Sequence, residues 1–355
     1  MKMKRLTSMK KSTRRSFFTY AFVMIAFAVL QVMNGLGALS FSLQGMLVPI
    51  CAYVVMAISL NLTVGILGEL SLGHAGFMSV GAFTGVTTAM ALQNVIPSAP
   101  LRLAAGMAVG AVFAAVVGFL IGIPVLRLKG DYLAIVTLAF GEIIKSIFTN
   151  LYVGVDGDGL HIRILSNITD LGEEGFMIVR GPMGMGGVAK ISTFTAGFIL
   201  VMISLAVVFN LVNSRAGRAI MSIRDNRIAA ESIGLNITKY KMMAFVVSAA
   251  LAGAAGALFT MNYSTMVASK FDFNTSILVL VFVVLGGLGN MLGSIIAAAL
   301  LTILPEALRS FADYRMLVYA IVLILVMLAT NNPTLRIWID QITGKLTGKR
   351  KKEAA

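Results

Sequence analysis

Charge is scarce in this chain of 355 residues: only 12% are Asp, Glu, Lys or Arg, against ~25% in a soluble domain. Cysteine is nearly absent. The single Cys51 lies inside an apolar run and reads as a small buried side chain, so a disulfide framework and a cysteine metal site are both excluded. With two histidines in the whole sequence, no Ser/His/Asp, Cys/His or paired-carboxylate arrangement emerges for covalent chemistry, and the chain does not read as an enzyme. Alternation of apolar and polar residues is missing as well, which excludes a transmembrane β-barrel. What is present is hydrophobicity. The apolar share is 58%, and several continuous runs reach the ~20 residues that cross a bilayer as a helix. The fold class is all-α, polytopic and embedded in a lipid bilayer.

The net charge of +14 invites a nucleic-acid partner, but its placement excludes one. Of the 29 Lys and Arg, seven lie in 1–15, two are Arg127 and Lys129, six lie in 213–241 and six follow from Arg336 onward. Basic residues gathered at the ends of apolar runs set the orientation of a membrane protein. Spans are expected at 16–33, 41–64, 72–92, 101–126, 131–150, 191–212, 240–262, 272–287, 290–309 and 314–330. That many spans with a cytoplasmic N-terminus put all four basic zones on one side. The chain then divides into a basic cytoplasmic N-terminus (1–15), a transmembrane domain (16–330) and a basic cytoplasmic tail (331–355).

The loop 151–190 falls outside in this scheme, with five acids against three bases. Its glycine-rich runs suggest ordered turns, and it either caps a pore or docks an external partner. The basic start and first apolar run resemble a signal peptide. The run is long, however, and no small-residue cleavage site follows, so a retained first span is expected. In the tail, GKLTGKR (Gly344–Arg350) is one residue short of a phosphate loop and has Arg350 where Ser or Thr should hold Mg²⁺. No ATP site is expected in this chain.

Two spans are interrupted by glycine. One reads NLTVGILGELSLGHAGFMSVGAF (Asn61–Phe83), the other VVLGGLGNMLGS (Val283–Ser294). Each glycine costs a helix interior up to ~1 kcal/mol relative to alanine. Helices broken at membrane depth are tolerated where they line a cavity, and paired breaks in two halves point to a substrate path. The competing reading is close helix packing through small residues. Gly73, His74 and Gly76 lie at the first break. Asn61 and Asn290 sit beside the two breaks, where their amides can satisfy freed backbone groups. His74 is either a hydrogen-bonded break residue or a substrate contact. Ionisable groups at membrane depth default to functional hypotheses. Glu142 either faces a wet path or neutralises itself against Lys145 three residues on. Pro305–Glu306 with Arg309 reads as another local pair.

One long polar run interrupts the apolar sequence, NSRAGRAIMSIRDNRIAAESIGLNITKYK (Asn213–Lys241). Asp225 or Asn226 can cap a short helix there, and Gly234 can end it in the left-handed conformation. Ala230 and Gly234 fall one turn apart on one face. A two-turn helix is marginal alone in water and needs a docking surface. The run is read as a cytoplasmic elbow pressing on a soluble partner; an ordinary basic loop obeying the positive-inside rule is the plainer alternative.

Four motifs carry a resemblance. Ser59–Phe83, Arg127–Lys145, Arg215–Asn236 and LPEALR (Leu304–Arg309) are similar, in order, to the permease subunits of branched-chain amino acid ABC transporters, and more narrowly to the M-type of the two paralogous permeases. The resemblance runs from about residue 45 to 330. It implies about ten helices in a fold similar to the vitamin B12 and ribose importer permeases. It also implies a homologous second permease, two cytoplasmic ATPase subunits that bind ATP-Mg, and an extracytoplasmic substrate-binding protein, in the cytoplasmic membrane of a bacterium or archaeon. The elbow then matches the family's coupling loop, with Arg224, Asp225, Asn226, Ala229, Ala230 and Gly234 at the ATPase. Gly73, His74 and Gly76 match the glycine-rich signature, and Glu142 matches the acid after Phe140–Gly141. Two departures stand out. Tyr152–Gly157 replaces a common Thr-Gly-Gly turn, and Asn332–Leu335 replaces Arg-Pro followed by Gly-Leu. Related permeases carry urea or short amides, so these motifs leave the cargo open. An ion-coupled secondary transporter, running on titration of Glu142, is the alternative from another class.

Overall fold

In a computed structural model the chain is described at residues 11–93, 95–128, 130–156, 159–164 and 176–308, together with 317, 320, 321 and 324. Residues 1–10, most of the expected span 314–330, Arg309 and the tail 331–355 lie outside the described residues, as do Asp158, Asp170, Glu173 and Glu174. The chain divides into two compact units, Met1–Leu300 and Leu301–Ala355.

Each of the other expected spans is a helix: α1 (Lys11–Gly35), α2 (Phe41–Asn61), α3 (His74–Ala91), α4 (Ala99–Val125), α5 (Asp131–Thr149), α6 (Phe194–Asn213), α9 (Ile237–Thr260), α10 (Phe273–Gly286) and α11 (Met291–Ala307). The elbow supplies α7 (Arg215–Asp225) and α8 (Arg227–Ser232). Among the described residues, seven stretches are long and apolar enough to cross a membrane, and the protein is a multi-pass membrane protein. The helix α3 falls short of that measure in apolarity and α11 in length. Local chemistry sets the helix starts. Ser40, Thr193, Ser214, Asn226, Asn236 and Asp272 each accept a backbone N–H of the first turn, as N-caps do. Asp131 stands in the first turn of α5, where a negative charge meets the positive helix end.

The segments Phe41–Leu67 and Ile237–Thr260 are buried along most of their length, whereas the spans of α1, α4, α5 and α6 turn large apolar side chains outward. Phe113, Phe119, Ile135 and Ile199 are about half exposed, as side chains that face lipid should be. The helices α3, α4 and α9 meet through glycine. Gly81 and Gly85 of α3 lie on Gly110 and Gly106 of α4, and a Cβ on Gly253 of α9 would stand 2.6 Å from the Gly110 carbonyl oxygen. Such backbone-to-backbone approach is how helices associate where burial from water supplies no drive. On the periphery, Phe27 of α1 stacks on Phe198 of α6 with centroids 3.9 Å apart.

The segment 151–190 is more than turns. It carries three antiparallel strands, β1 (Leu151–Asp156), β2 (Gly159–Ile164) and β3 (Phe176–Arg180), in the order β2-β1-β3. Met185 pairs with Met266 and so ties this sheet to the segment after α9. The departure Tyr152–Gly157 is therefore mostly the central strand of a sheet, an addition to an otherwise helical fold.

Candidate functional site

The elbow is two helices rather than one. Ser214 opens α7 by accepting from Gly217 N–H at 3.1 Å, and Asn226 opens α8 by accepting from Ala229 N–H at 3.0 Å. Of the two expected caps, Asn226 is the one used. Asp225 ends α7 and pairs with Arg224 at 2.9 Å. Gly234 has φ 83°, and Leu235 N–H returns to the Ala230 carbonyl at 3.1 Å, which closes α8 in the expected way. The expected Ala230–Gly234 face is split. Ala230 is 2% exposed and packs inward on Ile223 and Ile237, with Leu235 and Tyr240 around them. Ala229 and Gly234 are exposed. The tip also presents two side chains that sequence reading passed over, Ile228 at 81% and Ile233 at 74% exposure. The available signal was a pair of isoleucines in a polar run, five residues apart and so unable to share one helical face.

The two glycine breaks meet. The helix α2 runs into a π-helical stretch, Leu62–Leu67, a distortion frequent at functional sites. Gly68, with φ 81°, turns the chain out of it. Asn61 is fully buried. Its Oδ1 accepts from Gly289 N–H at 2.8 Å, and its Nδ2 donates to Ser294 Oγ at 2.9 Å. Any Cβ on Gly65 would collide with the backbone nitrogen of Gly289. Asn290 Nδ2 donates to the Gly286 carbonyl at 3.3 Å. Asn290 thus serves its own break, while Asn61 serves the opposite one. A cavity of about 290 Å³ lies beside this junction, with Ser16, Thr19, Ile66, Asn213 and Asn290 in its wall.

The elbow touches the first break directly. Arg224 Nη1 donates to the Gly65 carbonyl at 3.1 Å, and the stem of Arg224 crosses Gly68, where an added Cβ would stand 2.6 Å from Arg224 Cγ. Lys241, in the first turns of α9, forms an ion pair with Glu69; the two side chains are 5% and 15% exposed. These partners are far apart in sequence, and no periodicity announces them.

The other candidates lie along the α2–α3–α5 seam. His74 is 2% exposed, and its Nε2 is 2.7 Å from Ser59 Oγ. Because Ser59 Oγ donates to the Met56 carbonyl at 2.9 Å, it accepts from His74. Gly73 lies against the Thr137 carbonyl, and a Cβ on Gly76 would stand 2.9 Å from Gly141 Cα. These glycines let α3 rest on α5. Glu142 forms an ion pair with Lys145 and accepts from Phe273 N–H at 3.2 Å. Its carboxylate joins α5 to the start of α10 and is 38% exposed.

A family model described as the permease component of the branched-chain amino acid transport system matches residues 42–327. The chain is 36% identical over 291 residues to the high-affinity branched-chain amino acid transport system permease protein LivM of Escherichia coli strain K12, covering 78% of this chain and 66% of that protein. It is 27% identical over 282 residues to the LivH permease protein of the same strain, covering 78% and 88%. It is 23% identical over 249 residues to the nucleoside ABC transporter permease protein NupC of Lactococcus lactis, covering 64% and 71%. The chain thus spans just under two thirds of the length of the LivM relative. No solved structure matches it.

Proposed function

We propose a function that proceeds from one fact: this chain belongs to the family of branched-chain amino acid transport system permease components. It is the membrane-spanning subunit of an ATP-driven importer of branched-chain amino acids and carries out no chemistry of its own. A homologous second permease completes the pore. Two cytoplasmic ATPase subunits bind ATP-Mg and drive it, and an extracytoplasmic substrate-binding protein delivers the cargo. The setting is the cytoplasmic membrane of a bacterium or archaeon. The N-terminus, the elbow and the tail lie inside, with ten spans in a fold similar to the vitamin B12 and ribose importer permeases.

Within the family, the observation that supports a driven permease is the elbow tip. Ile228 and Ile233 are left exposed, and burying a side chain of that size is worth about 1.5–3 kcal/mol. A groove in one ATPase subunit covers them together with Asp225, Asn226, Ala229 and Gly234. Arg224 and Ala230 act from the inner side of the same elbow. The path runs beside the junction of Asn61 and Asn290 and along the seam of Gly73, His74 and Gly76, with Glu142 at its edge. An ion-coupled transporter fits less well, because the Glu142 carboxylate is already engaged by Lys145 and by Phe273 N–H.

The relative whose name says nucleoside ABC transporter permease favours a second reading in which the same machinery takes a different small polar cargo, urea and short amides included. Competition separates the two. Uptake of labelled leucine by the reconstituted complex is expected to be suppressed by isoleucine and valine and untouched by urea, acetamide or nucleosides. Suppression by one of the latter group alone moves the cargo assignment.

A further inference from the structure

The contacts between elbow and break have a role that the permease reading does not supply. We propose that Arg224 and Lys241 form a two-point tie through which displacement of the elbow reaches the first glycine break, and that Asn61 passes it to the second. This rests on the reading of the chain as an ATP-driven permease.

The tie holds the elbow near both of its ends. Arg224 stands at the end of α7 and donates to the Gly65 carbonyl at 3.1 Å, while Lys241 stands near the start of α9 and pairs with Glu69 just beyond Gly68. Between them, Ile223, Ala230 and Ile237 give the elbow a small core of its own, so it is built to move as a body. The receiving segment is built to yield. It is π-helical over Leu62–Leu67 and bent at Gly68. Among the described residues, the Thr63 hydroxyl in this stretch and the Ser71 hydroxyl just beyond it are buried without a hydrogen-bond partner. Gly65 in turn lies against Gly289, and Asn61 holds Gly289 N–H and Ser294 Oγ. The chain of contacts from elbow to second break is therefore unbroken.

The Lys241–Glu69 pair is also more than filler. Two charges removed from water are matched or bettered in stability by an apolar pair of the same volume. The ion pair instead fixes which turn of α9 faces which residue of the break. Lys241, Glu69 and Arg224 are positioning residues; none of them needs to touch cargo.

The test uses the full complex in proteoliposomes, with labelled leucine uptake and ATP hydrolysis measured on the same preparation. Glu69→Gln, Lys241→Met and Arg224→Met are each expected to assemble and hydrolyse ATP, with leucine moved per ATP reduced about tenfold, within the usual range of coupling between distant sites. The exchange Glu69→Lys with Lys241→Glu is expected to recover most of that ratio. Arg224 lies at the surface and its removal leaves no buried charge unpaired, so it decides the matter should the Lys241 variants fail to assemble. A wild-type ratio in Glu69→Gln and Arg224→Met overturns the tie. So does an equal fall in uptake and hydrolysis, which would make these residues props of the assembly. Uptake by the wild-type complex without any hydrolysis would instead remove the ATP-driven reading beneath the proposal.

Discussion

Asn61 has both ends of its amide committed across the junction of the breaks, to Gly289 N–H and to Ser294 Oγ. Asn61→Ala would take this partner from Gly289 N–H and remove one of the two hydrogen bonds of the buried Ser294 hydroxyl, which keeps the Asn290 carbonyl, at about 1–3 kcal/mol in all. A fall of several degrees in the thermal midpoint of the detergent-solubilised protein is expected; an unchanged midpoint would show that the junction reseals without the amide. Glu142→Gln keeps an acceptor for Phe273 N–H and loses only the charge opposite Lys145. Stability should therefore change little, while uptake falls further than in Glu306→Gln. Equal uptake in the two variants would place Glu142 among the structural residues. Gly234 combines φ 83° with open space around its Cα. Gly234→Arg is thus expected to insert normally, at a strain of about 1–3 kcal/mol, and to abolish uptake by blocking the tip. Membrane fractionation and uptake on the same cells check it.

At the scale of elements, the long helices were readable because a continuous apolar run permits little else in a bilayer. Their caps were partly readable too: Asn226 and Gly234 do what their chemistry suggests. The rest depended on neighbours that a single sequence does not display. The sheet in 151–190 escaped because its strands are five or six residues long and set among glycines. Ala230 is expected on the docking face with Gly234, one turn away, yet Ile223 and Ile237 close over it. The Lys241–Glu69 pair joins residues with no local relation at all. The seam of α3, α4 and α9 shows the same dependence, since Gly81, Gly110 and Gly253 become explicable only as mutual contacts. Gly253→Leu should drive these helices apart and leave little folded protein in the membrane, as judged by a monodisperse peak on size exclusion; a normal peak would mean the seam is slack. Ile228→Asp should leave that peak intact and weaken co-purification of the ATPase subunits, because its side chain touches solvent rather than the fold.

At the scale of the whole molecule, this is a multi-pass membrane protein of the branched-chain amino acid permease family. Its apolar helices are set for lipid, and its interior is stitched by buried hydroxyls and amides such as Ser59, Ser248 and Asn61. Its basic elbow rests on the point where two spans are broken. We propose that ATP hydrolysis in partner subunits supplies the force that moves the elbow. The most direct measurement is leucine uptake by proteoliposomes holding the full complex, compared with the same complex carrying hydrolysis-dead ATPases. The account predicts concentrative uptake in the first and none above the protein-free background in the second. Equal uptake in both, or uptake that follows an imposed proton or sodium gradient without ATP, would contradict it.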